Sequence, residues 1–167
     1  MIKNIIWTLV FSLIAAVLQS TLLPYVALYR AVPDLVLCIV VYSAYINGSM
    51  TGQLSGFFCG IALDFISAAP LGLNALIRTI IGALAGLLKG SFFLDILLLP
   101  MILCSSATLI KALLLFLLSL PTGGLIPAYP IAAPTLWAEL ALNTVIAPFL
   151  FALLKRFNFI LMQKGVI

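Results

Sequence analysis

Few residues of this chain could do chemistry, and they are far apart. Asp64, Arg78, Lys111 and Glu139 are ionisable side chains set within apolar runs. Asp64 and Arg78 flank the turn sequence "SAAPLG". In an antiparallel hairpin their depths would differ by about 4–5 Å, within the reach of an arginine. The expectation is that Asp64 and Arg78 meet, or that Asp64 caps backbone donors in the turn. Lys111 and Glu139 form a second candidate pair on the same grounds. A charged side chain at mid-bilayer costs about 2.5–3.5 kcal/mol on insertion scales, so it takes a partner, as structural glue or as part of a functional site.

Catalysis is hard to build from the rest. The chain has no histidine, which removes serine–histidine nucleophiles, histidine metal sites and imidazole proton relays. "GQLSG" superficially suggests a serine motif, but without a general base Ser55 reads as a small packing residue. Asp64, Asp95 and Glu139 fall in different elements, Asp95 near Lys89, and nothing places two carboxylates together as an acid–base dyad. No phosphate-binding loop or nucleotide motif occurs. Cys38, Cys59 and Cys104 each lie in an apolar run, odd in number and without metal or redox spacing. The expectation is therefore a protein that is not an enzyme, with no catalytic residue, no cofactor and no metal.

The elements that carry these residues follow from composition. Of 167 residues, 65% are hydrophobic and 7% charged, with a mean hydropathy of +1.36. A soluble domain keeps about a quarter of its residues charged, so this surface must face lipid. The net charge of +4 comes from basic residues scattered singly between apolar spans, which suits membrane topology signals and not nucleic acid. Six spans are expected, at about 4–23, 33–46, 51–67, 71–88, 97–120 and 135–157. Asp34 caps the second, Pro100 lies near the start of the fifth, and Pro148 is a kink candidate in the sixth. The second and third are shorter than the roughly 20 residues of a perpendicular crossing, so five spans are the alternative count. The first run has no A-x-A pattern after it and reads as a span, not a cleaved signal.

With both termini in the cytoplasm, Lys3, Lys89, Lys155, Arg156 and Lys164 lie inside and Arg30 outside, a positive-inside bias. Trp7 near the inner boundary, and Tyr25, Tyr29, Tyr129 and Trp137 near the outer one, fit aromatic belts. The loop "PTGGLIPAYPIAAP" at 121–134 is too short to be a domain, so residues 1–167 read as one polytopic membrane domain.

Glycines concentrate in the middle. Gly48, Gly52, Gly56 and Gly60 are four apart, and Gly82, Gly86 and Gly90 repeat the spacing after the turn. Residues four apart follow one ridge of a helix, and glycine along it lets a second backbone approach closely. The ridge reads as close packing within the chain or as a partner's docking surface.

"PDLVLCIVVYSAY" followed by "GFFCGIALDFISAAPLGLNAL" resembles the core pattern of the rod shape-determining protein MreD family. The pattern is Pro-Asp-Leu opening a helix, a glycine-rich span ending G-x-x-x-D, and a turn with Leu-Gly. "LALNTVIAPFLFALLKR" resembles the family's last helix. The positions concerned are Pro33, Asp34, Gly60, Asp64, Gly72, Asn143 and Pro148; Arg78 lies outside the pattern and Ala68 replaces a frequent glycine. The resemblance implies an all-α integral membrane protein of about six transmembrane helices, with a bundle like the S-components of vitamin transporters. It implies a non-catalytic part of the bacterial elongation machinery in the inner membrane, supporting cell shape and lateral peptidoglycan synthesis. The implied partners are MreC and, through the complex, MreB, RodA and a class B penicillin-binding transpeptidase, together with membrane lipid. The alternative is a vitamin-binding S-component, whose outer polar residues would be Gln19, Ser20, Thr21, Asn74, Arg78, Lys111 and Glu139.

Overall fold

Residues 35–47 are apolar on every side, and a helix hydrophobic all round belongs at the centre of a bundle. In the computed structural model, which describes residues 1–27, 31–67, 69–90, 97–122 and 133–161, six long helices surround that segment or form it. They are α1 (Ile2–Thr21), α2 (Leu35–Asn47), α3 (Ser49–Ile66), α4 (Leu73–Leu87), α5 (Leu98–Ser119) and α6 (Pro134–Lys155), followed by a short α7 (Asn158–Leu161). Tyr29, Arg30, Ala68, Asp95, Tyr129, Lys164 and most of the 121–134 loop lie outside the described residues. No strand forms among the described residues, and the chain is an all-α membrane protein. α2 has ten of its thirteen residues buried and touches α1, α3, α4, α5 and α6.

The helices start and stop where local chemistry dictates. The Asp34 side chain accepts from the Leu37 N–H at 3.0 Å and caps α2. Gly48 alone joins α2 to α3, at φ +100° and ψ 175°, a conformation open in practice to glycine only. Pro134 opens α6, and Pro100 lies in the first turn of α5, where a missing N–H costs nothing. Pro148 lies inside α6, which continues through it.

Helices in lipid gain little from hiding apolar side chains from one another, so small and polar residues face inward. α1 shows this: Asn4, Thr8, Ser12, Ala15 and Ala16 are buried, while Ile6, Val10, Leu13, Ile14 and Val17 are exposed. The Thr8 and Ser43 hydroxyls lie 2.9 Å apart across α1 and α2.

The glycine ridge of α3 is seated on the chain's own α4. A Cβ on Gly52 would stand 2.3 Å from the Gly82 carbonyl oxygen, and one on Gly82 2.2 Å from that of Gly52. Gly56 would meet the Arg78 carbonyl oxygen at 2.2 Å, Gly60 the Ala75 Cα at 2.4 Å, and Gly86 the Ser49 Cα at 2.4 Å. Gly48 and Gly90 share the spacing but not this contact. Both have positive φ in turns; a Cβ on Gly90 meets nothing within 4 Å, and one on Gly48 makes an ordinary 3.5 Å contact with Lys89. Four-residue spacing carried past a helix end no longer follows a ridge.

The bundle has two chemically distinct ends. At one, Asn4 Nδ2 donates to Asn47 Oδ1, Asn47 Nδ2 to the Leu161 carbonyl, and Lys89 Nζ to the Asn47 carbonyl. Lys3, Lys155 and Arg156 belong to the same end. The three acids among the described residues, Asp34, Asp64 and Glu139, all lie toward the other. Among the described residues three helices are long and apolar enough to cross a membrane: α1 with the turn after it (Ile2–Tyr25), α5 and α6. α2 and α4 are shorter, at about 20 and 22 Å of rise against a hydrocarbon layer of about 30 Å.

Candidate functional site

The acidic end of the bundle contains one connected polar network built on Asp34. Because α2 is short and central, its N-terminus stops well inside the bundle. At 13 residues α2 rises about 20 Å from its cap to Asn47, less than the roughly 30 Å of a hydrocarbon layer. Asp34 is 2% exposed and needs compensation beyond its own helix. Arg78 on α4 supplies it, donating from Nη2 to both carboxylate oxygens at 2.9 Å. Lys111 on α5 donates from Nζ to Asp34 Oδ2 at 2.8 Å and to Glu139 Oε1 on α6 at 2.7 Å. Arg78 is among the most deeply buried side chains of the protein, and Lys111 is only 14% exposed.

Asn143 closes the network from α6. Its Oδ1 accepts the Asp34 N–H at 2.8 Å, and its Nδ2 donates to Thr108 Oγ1 at 2.9 Å. The backbone donor that α2 would leave orphaned in lipid is thereby satisfied by a side chain 109 residues away.

Asp64 does a separate job. Its Oδ2 accepts from the Gly72 and Ala75 N–H groups at 2.9 and 3.2 Å, and its Oδ1 from the Asn74 N–H and Nδ2 at 3.0 and 2.9 Å. A carboxylate here meets the free donors and the positive dipole end of α4. Gly72, at φ +90°, turns the chain so that these donors converge. Alanine at position 64 should cost about 2–3 kcal/mol, since hydrogen bonds to a charged group are worth about 1.5–3 kcal/mol and buried amides lose their acceptor. Thermal unfolding in detergent measures this, and an unchanged midpoint would show that the cap is dispensable.

Among the sequence-based pairings, Lys111 and Glu139 meet. Asp64 and Arg78 form no ion pair; they are linked through Asn74, whose Oδ1 accepts from Arg78 Nη1 at 2.7 Å while its Nδ2 reaches Asp64. Asn74 lies one turn before Arg78 on the same face and intercepts the path to Asp64. The capping alternative is what the geometry displays. Sequence reasoning read Asp34 only as a cap and missed its role as the shared anion. The signal was its burial in an all-apolar helix, which leaves a carboxylate no route to water. Pro33 is buried at the entrance of α2, and Pro148 lies inside α6.

All but one of the polar residues that could have lined a vitamin pocket are engaged within the chain. Ser20 and Thr21 hydroxyls donate back to the Val17 carbonyl, and Asn74, Arg78, Lys111 and Glu139 bond within the chain just described. Gln19 Oε1 is buried without a partner.

The network thus runs Asp64–Asn74–Arg78–Asp34–Lys111–Glu139 across α3, α4, α2, α5 and α6. It can hold five helices in one rotational register. A family model described as the rod shape-determining protein MreD matches residues 1–157. No curated protein and no solved structure matches the chain.

Proposed function

The chain belongs to the MreD family of rod shape-determining proteins, and from that premise we propose that it is a non-catalytic scaffold of the cell-elongation machinery. Its family role is rod shape determination. In this reading it sits in the bacterial inner membrane, contacts MreC there, and through that complex supports MreB, RodA and a class B penicillin-binding transpeptidase in lateral peptidoglycan synthesis. The observation that carries the reading is the ionic network. The charges of Asp34, Arg78, Lys111 and Glu139 are spent on one another and tie α2, α4, α5 and α6 together, which suits a rigid platform better than a ligand pocket or a reaction centre. A vitamin-binding S-component would need polar groups free to receive its ligand.

The reading includes six spans with both termini in the cytoplasm. The basic end, with Lys3, Lys89, Lys155 and Arg156, then faces inward by the positive-inside rule. The acidic network lies toward the periplasmic side, and α2 and α4 cross as short helices shielded by α1, α5 and α6.

Expressed as the sole MreD in a rod-shaped bacterium depleted of its own, the chain should restore rods and co-purify with MreC. Round cells despite normal membrane levels would count against the scaffold reading. A thermal shift with a vitamin, without MreC capture, would favour the transporter class instead.

A further inference from the structure

A second feature lies at the basic end, away from the ionic network. A cavity of about 240 Å³ opens between α2, α5, α6 and α7, bordered by Tyr42, Tyr45, Ile46, Leu99, Pro100, Phe151, Ala152, Lys155 and Asn158. Its floor is apolar: Ile46, Leu99, Pro100 and Phe151. Its polar side is made of donors. The Tyr42 hydroxyl donates to Asn158 Oδ1, so the amide's remaining polar group is the Nδ2 donor. Lys155 is exposed and forms no hydrogen bond or ion pair among the described residues. Among the described residues no carboxylate borders the cavity, and Arg156, Lys89 and Lys3 lie at the same end of the bundle.

Volume narrows the ligand class. Pockets that enclose a whole small molecule run to about 300–1,000 Å³. This one is smaller and open, so it suits a ligand that keeps most of its bulk elsewhere. Donors at the mouth select an anion; an apolar floor at a helix-bundle end selects one with a hydrocarbon chain. Basic pockets between membrane helices hold anionic headgroups by this combination.

We propose that this cavity binds an anionic phospholipid. Lys155 Nζ and Asn158 Nδ2 hold the phosphate, and the upper acyl chain lies on Ile46, Leu99, Pro100 and Phe151. The rest of the lipid stays in the bilayer. The site does not depend on which end of the bundle faces the cytoplasm, nor on the scaffold reading.

The test uses the full-length purified chain in detergent micelles doped with phosphatidylglycerol or with phosphatidylcholine, followed by thermal unfolding and native mass spectrometry. Phosphatidylglycerol should raise the midpoint and leave a one-to-one adduct, and phosphatidylcholine should do neither. Lys155→Gln should weaken retention about fivefold, the equivalent of about 1 kcal/mol for a basic side chain near the surface. Lys3→Gln, which removes the same charge at the same end, should leave it within twofold. Ala152→Trp keeps Lys155 but fills the cavity, and should abolish the adduct while the protein still unfolds cooperatively. Inorganic phosphate should produce no shift; a shift equal to that of phosphatidylglycerol would identify a soluble phosphate ligand and overturn the lipid assignment. Equal losses in Lys155→Gln and Lys3→Gln would mean diffuse surface attraction and overturn the site.

Discussion

Replacing Asp34 by alanine should be among the most damaging single substitutions this protein can carry. The carboxylate is the shared partner of two cations, Arg78 Nη2 at 2.9 Å and Lys111 Nζ at 2.8 Å, and both are largely buried. Its removal strands the Arg78 guanidinium without an anion and leaves Lys111 with Glu139 alone. Breaking a buried pair in this way costs about 3–5 kcal/mol, and loss of the α2 cap adds about 1 kcal/mol. Against a typical total stability of about 5–15 kcal/mol, the variant should be depleted from membranes, or unfold roughly 10 °C or more below the wild type. A double-mutant cycle identifies the cause. Arg78→Met alone strands the anion only partly, because Lys111 remains, and should cost less than Asp34→Ala. The combined variant retains the neutral Lys111–Glu139 pair and should be clearly more stable than the sum of the single losses implies. Strict additivity would show that Asp34 and Arg78 do not act as a unit. Asp34→Asn keeps an oxygen for the Leu37 N–H but no charge, so it should fall between wild type and alanine.

The second large effect is expected at the α3–α4 contact. A leucine at Gly56 would begin with a Cβ 2.2 Å from the Arg78 carbonyl oxygen, and the atoms beyond it are also backbone. Backbone cannot rotate aside as a side chain does, so the two helices must separate along their length. That separation would draw Arg78 away from Asp34 and disrupt the ionic network along with the packing. Gly56→Leu and Gly82→Leu should therefore be lost from membranes, and Gly56→Ala should lower the unfolding midpoint measurably. Gly72→Ala and Gly90→Ala supply the contrast. Neither added methyl meets anything within 4 Å, so the cost is the positive φ alone, about 1–2 kcal/mol. If Gly56→Ala unfolds at the wild-type temperature while Gly72→Ala does not, the close contact is absent and only turn conformation matters.

Much of the architecture was legible in the chain itself. Composition forced a lipid-facing surface, and apolar runs bounded by prolines, glycines and charges marked six helices to within a few residues of those observed. Asp34 as a cap, Asp64 as a ligand for turn amides, and Lys111 beside Glu139 are short-range or charge-matching statements, and spacing is enough to raise them. The glycine ridge likewise announced a close approach, although spacing alone extended it to Gly48 and Gly90, where helices end. Spacing also could not choose between α4 and a foreign helix as the surface that fills the ridge.

What remained for the tertiary structure was the choice among partners. Arg78 meets an anion 44 positions away in sequence and not the one 14 positions away, and Lys111 meets the same anion across 77 positions. Those choices depend on how each helix is rotated about its axis and how deep α2 begins, quantities set by the packing of all six helices together. Periodicity states which residues share a face of one helix. Only the assembled bundle, through glycine contacts that fix α3 on α4 and an all-apolar α2 drawn to the centre, decides which faces meet and where a buried carboxylate must find its cations.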